Sequence, residues 1–126
     1  MMPVFALFQP TPLNDLARDC HATNQQFWHD LVTGAKLERN KGEMLMLMVT
    51  ELAEAFEGER KNLMDDHLPH RKCVEVELAD VLIRLFDYAG AYDLDLDGAV
   101  AEKRSYNATR LDHTREARLA PNGKKW

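Results

Sequence analysis

The 126-residue chain has little of what builds unusual proteins. It has two cysteines, Cys20 and Cys73, too few for a disulfide framework, so a reducing, cytoplasmic setting is expected. Its longest apolar run, residues 44–49, is far shorter than the roughly 20 residues that span a bilayer. The opening MMPVFALFQPTP has no basic flank and no long apolar stretch, so a secretory leader is not expected. Basic residues number 16 against 21 acidic ones, a net charge of −5. An acidic chain repels phosphate backbones and anionic headgroups, which disfavours a nucleic-acid polymer or a membrane as partner. There is no G-x-x-x-x-G-K-[ST], no H-E-x-x-H and no G-x-S-x-G, so three common routes to hydrolysis are absent. No stretch shows sustained alternation of period two, so strands are not expected.

What is present is helical. The apolar fraction of 45% and charged fraction of 29% are those of a globular protein. The pattern predicts an all-α antiparallel bundle of about four main helices in one domain over residues 1–111. Residues 112–126, with Pro121 and Gly123, read as a flexible or partner-docked tail. The first helix is expected over 12–33: Thr11 as N-cap, Pro12 at its first position, and Leu13, Leu16, Ala17, Cys20, Asn24, Phe27, Trp28 and Leu31 in helical register, with Gly34 as the stop. The second begins at Asn40, with Glu43 at capping-box spacing, and stops near Gly58. The third covers 71–92, with Val74, Leu78, Val81, Leu82, Leu85, Phe86 and Ala89 as its apolar face, and the fourth covers 96–109. Residues 44–49 are apolar on every side. A helix of that kind needs cover all round, which a small bundle lacks, so completion by a homodimer or homotetramer is expected.

Four acids stand out by position. Glu51 and Glu54 lie three apart on the second helix, and Glu77 and Asp80 three apart on the third. The intervening segment is long enough for an antiparallel return. Glu51 continues a line through Met44, Met48 and Ala55; Glu77 continues one through Val74, Val81 and Leu85. A carboxylate on an apolar stripe must bind a proton or find a cation. Four convergent oxygen ligands suit a hard divalent ion, Mg²⁺ or Mn²⁺. The competing reading is a pair of solvated acid faces, since Glu54 and Glu57 have the same spacing.

The segments ELAE at 51–54 and ELAD at 77–80 resemble the E-x-x-E…E-x-x-D signature of the MazG-like all-α nucleoside triphosphate pyrophosphohydrolases. The likeness extends over about residues 36–126, through AEKRSYNATR and the terminal GKKW. It implies Mg²⁺-dependent cleavage of a (deoxy)nucleoside triphosphate into monophosphate and pyrophosphate, clearing surplus or non-standard nucleotides. It implies that Glu51, Glu54, Glu77 and Asp80 hold the metal, with Glu51 or Glu54 orienting the attacking water. Many members carry a further Glu directly before the first motif acid; here that position is Thr50.

Lys103, Asn107 and Arg110 share one helical face and would meet phosphate, sugar or base; the competing reading is a solvated face. Arg84, one turn beyond Asp80, is a second phosphate candidate. Phe27, Trp28 and His21 are candidates for stacking on or bonding to a nucleobase. His67, His70 and Cys73 form H-x-x-H-x-x-C, which is not a standard zinc ligand set and reads as a polar loop. A di-iron bundle would need E-x-x-H pairs, and no Glu has a His three positions on. The remaining alternative is a non-catalytic helical module binding a nucleotide or a protein.

Overall fold

The computed structural model describes residues 12–126. Among them the chain is all-α: α1 Leu13–Thr23, a 3₁₀ turn Gln25–Trp28, α2 Lys41–Arg60, α3 Cys73–Ala91, α4 Leu96–Ala108, a 3₁₀ turn Leu111–His113 and α5 Arg115–Leu119. Extended pairing is limited to two isolated bridges, His29 with Lys36 and Met64 with Lys72. No described helix is long and apolar enough to cross a membrane. The chain divides into two compact units, one of residues 13–94 and one containing residues 95–126.

In the first unit α3 packs against both α1 and α2. Both pairings are antiparallel: His21 bonds Asp87 while Gly90 abuts Ala17, and Arg84 reaches Glu51 while Cys73 abuts Gly58. Small residues set these approaches. A Cβ on Gly90 would collide with the Ala17 carbonyl and the His21 Cβ, and one on Gly58 with the Cys73 side chain. Gly58 is therefore a contact residue inside the last turn of α2, which ends near it, at Arg60. Asn40 caps α2 as expected, its side chain accepting from the Glu43 N–H at 2.9 Å.

The first helix ends ten residues earlier than the apolar register predicts, at Thr23. The competitor is local side-chain bonding. The Thr23 hydroxyl donates to the Asp19 and Cys20 carbonyls, and the Asp30 carboxylate accepts from the backbone N–H groups of Val32 and Thr33. Gly34 sits at φ +72°, turning residues 29–36 back on themselves. Leu31, in register with the stripe, is 97% exposed. The expected cap Thr11 lies outside the described residues.

Among the described residues the core is thin: Ala17, Trp28, Met44, Ala55, Phe86 and Ala89 are the buried apolar ones. Of residues 44–49, Met44 alone is buried. Leu45, Val49, Leu52 and Phe56 follow one line along α2 and are exposed, Phe56 at 67%. On α3, Leu78 and Leu82 of the expected inner face are also exposed, left uncovered by both α1 and α2.

In the second unit α4 is capped by Asp95, whose side chain accepts from the Gly98 N–H, and α5 by Thr114, which accepts from Ala117. A helix forms in the tail without amphipathic periodicity because the cap organises it. Arg118 donates to the carbonyls of Lys124 and Lys125, closing the chain end onto α5.

Candidate functional site

The antiparallel return from α2 to α3 brings one carboxylate oxygen each from Glu51, Glu77 and Asp80 within 4.8 Å of one another. All three are half-buried, whereas Glu54, one turn on from Glu51, is exposed. Two acids per helix at a spacing of three put both on one face, and packing α2 on α3 opposes those faces.

The contrast with Glu57 separates a site from a solvated acid face. Glu57 has the same spacing from Glu54 but bonds Arg60 and Lys61, and these cations hold its carboxyl below the ordinary range. Glu77 has no cation partner among the described residues. Burial, followed by the neighbouring carboxylates of Glu51 and Glu54, pushes it up to about 7. Its Oε2 is buried with no hydrogen-bond partner. Asp80 is raised as well, first by burial and then by Glu51, with Arg84 opposing. Arg84 donates from Nε to the Glu51 Oε1 at 2.9 Å, an ion pair that joins α3 to α2. One guanidinium cannot balance four carboxylates. An orphaned buried oxygen among hard oxygen donors fits a divalent cation.

A cleft of about 570 Å³ opens beside the acids, lined in part by Glu51, Asp80, Arg84, Asn24, Phe27 and Arg39. Phe27 is 59% exposed and offers a ring face there. Its neighbour Trp28 is buried, with its indole N–H donating to both Asp87 oxygens at 3.0 and 3.1 Å. His21 Nδ1 donates to Asp87 Oδ1 at 2.8 Å, and its Nε2 accepts from the Gln25 amide at 3.1 Å, so one tautomer satisfies both bonds. The three expected base-contacting residues are thus separated: Phe27 lines the acid-lined cleft, while His21 and Trp28 line a second one.

Lys103, Asn107 and Arg110 belong to the second unit. Lys103 and Arg110 sit over the Tyr106 ring, at 4.8 and 5.6 Å from its centroid. Arg110 grips both carboxylate oxygens of Asp112, holding that acid down at about 2. The Asn107 Oδ1 is buried and unpartnered. His67, His70 and Cys73 do not converge on a common point with each other. Their loop is organised by the buried Asp65 carboxylate, which accepts from the backbone N–H groups of His67 and Leu68.

Sequence reasoning missed Asp87, Arg39 and Asn24. Asp87 carried a signal: it lies seven residues after Asp80 and directly after the core residue Phe86. Arg39 and Asn24 carried none, because their place depends on how residues 24–40 turn back. Compared with known proteins, the chain matches no family model, no curated protein and no solved structure.

Proposed function

We propose that the protein is a Mg²⁺-dependent nucleotide pyrophosphohydrolase acting on (deoxy)nucleoside triphosphates between the α- and β-phosphates. The observation that carries this reading is the convergence of Glu51, Glu77 and Asp80 around an unpartnered buried oxygen, beside a cleft with an exposed aromatic face. Glu51, Glu77 and Asp80 would hold Mg²⁺ (or Mn²⁺), with Glu54 at the rim. Bound there, the ion would neutralise the triphosphate and stabilise the charge that develops during transfer. Glu51 is engaged by Arg84, which leaves Glu54 the better placed to accept the proton of an attacking water. Arg84 presents its remaining guanidinium donors to phosphate oxygens. Phe27 stacks on the base. For substrate roles of Lys103, Asn107 and Arg110 the support is the family resemblance alone. The two cysteines are free thiols, in keeping with a cytoplasmic nucleotide pool.

The test is product analysis over a panel of ribo- and deoxyribonucleoside triphosphates with and without Mg²⁺. Monophosphate plus pyrophosphate, formed only with metal, is the expected result. Diphosphate plus orthophosphate would overturn the bond assignment, and no turnover across the panel would favour a non-catalytic binding module.

The same reading includes a homo-oligomer. Support comes from a row of exposed apolar side chains at positions 45, 49, 52 and 56 of α2, with Leu78 and Leu82 of α3 exposed as well. Light scattering should give at least twice the chain mass, and Phe56→Glu should shift the protein toward the monomer. A wild-type mass of one chain would sink the idea.

A further inference from the structure

We propose that the second cleft is a separate binding site for a mononucleotide, taken up without metal. It has a volume of about 790 Å³ and lies on the first unit. Its lining includes His21, Trp28, Lys36, Arg39, Lys41 and Tyr92. The acids of the metal cluster are not among its walls. Three cations against the single acid Glu38 make it locally basic in a chain of net charge −5.

The cations are held but not neutralised. The Lys41 Nζ rides over the Tyr92 ring at 4.4 Å from the centroid, and the Arg39 guanidinium lies over the Trp28 ring at 5.9 Å. Arg39 uses one donor, Nη1, on the Phe27 carbonyl. Neither Arg39 nor Lys41, nor the exposed Lys36, has a carboxylate partner among the described residues. Unused N–H donors fixed against aromatic rings suit an anionic oxygen cluster, and the half-buried His21 ring, which also lines the cleft, suits a planar partner. A phosphate ester bearing an aromatic ring satisfies both, and a cleft of this size fits a mononucleotide.

The two clefts share Arg39, and the walls are tied together by the bonds from Trp28 and His21 to Asp87, which lines the first. The inference deepens the nucleotide-hydrolase reading by giving its monophosphate product class a second place to bind. Its test is independent of turnover.

AMP is titrated into the protein in EDTA while the ¹H–¹⁵N signals of the Trp28 indole and of residues 36–41 are followed. Adenosine and ribose 5-phosphate serve as half-ligands. Saturable shifts at both places are expected with AMP, with each half-ligand at least about tenfold weaker. Lys36→Ala/Lys41→Ala should weaken AMP at least about tenfold and leave Mg²⁺-dependent turnover unchanged, while Glu77→Gln, lacking the metal site, should still bind AMP. Shifts confined to Asn24 and Phe27, adenosine binding as well as AMP, or no shift at all would each overturn the proposal. An enzyme inactive on every triphosphate that still binds AMP in this cleft would refute the hydrolase reading alone.

Discussion

Glu77→Gln is expected to lower Mg²⁺-dependent turnover more than about a hundredfold, since loss of a direct ligand should exceed the 10–100-fold effect of outer-shell partners. The same substitution should make the metal-free protein more stable at pH 8. Burial and the carboxylates of Glu51 and Glu54 raise the Glu77 carboxyl from its ordinary 4.5 to about 7. Between those values the unfolded chain has released the proton and the folded chain keeps it. Stability therefore falls as pH rises through that window, and the loss is complete above about pH 7. Glutamine carries no charge at any pH and escapes it. Discounted for the partial exposure of the site, the gain is on the order of 1 kcal/mol, or about 4 °C in Tm. Thermal melts in EDTA at pH 5 and pH 8 check the sign: the variants should coincide at the lower pH and separate at the higher. Mg²⁺ should then raise the Tm of the wild type and not of the variant. A metal-free Tm for Glu77→Gln below wild type at pH 8 would show that Glu77 is bonded in the fold and is not an orphan awaiting a cation.

Asp87→Ala should cost about 3 kcal/mol of stability. The carboxylate is buried and accepts from His21 and twice from the Trp28 indole N–H. Each donor left without an acceptor in a buried site costs about 1–3 kcal/mol, and two lose theirs at once. Asp87→Asn should cost roughly half as much, because the amide keeps one acceptor and turns a donor toward the other partner. Urea unfolding followed by far-ultraviolet circular dichroism measures both without relying on Trp28 as its own reporter. Loss under about 1 kcal/mol in the alanine variant would mean that water replaces the carboxylate and that the network does not join α1 to α3.

The acids of the site were legible because two short-range rules combine. A spacing of three puts Glu51 with Glu54, and Glu77 with Asp80, on single helix faces, and apolar neighbours mark Glu51 and Glu77 as inward. Spacing did not separate these from Glu57, whose fate turns on Arg60 and Lys61 standing close enough to neutralise it. Arg84 was legible as a cation near the site. Its partner Glu51, 33 residues away, was not, because that pairing depends on the register between α2 and α3.

The sequence by itself determined the helical class, the Asn40 cap, the extents of α2, α3 and α4 to within about two residues, and the pairing of the four acids by face. These follow from interactions between residues a turn or less apart, which a chain carries wherever it folds. Only the tertiary structure decided that Gly58 and Gly90 are contact points and that Phe27 and Trp28 face different clefts. Each of these depends on a partner distant in sequence: Asp87 reaching across 59 residues to the Trp28 indole, and Ala17 pressed against Gly90. Periodicity registers which side of a helix is apolar. It does not register what that side meets, and in this chain that decides which carboxylate is left without a counter-charge.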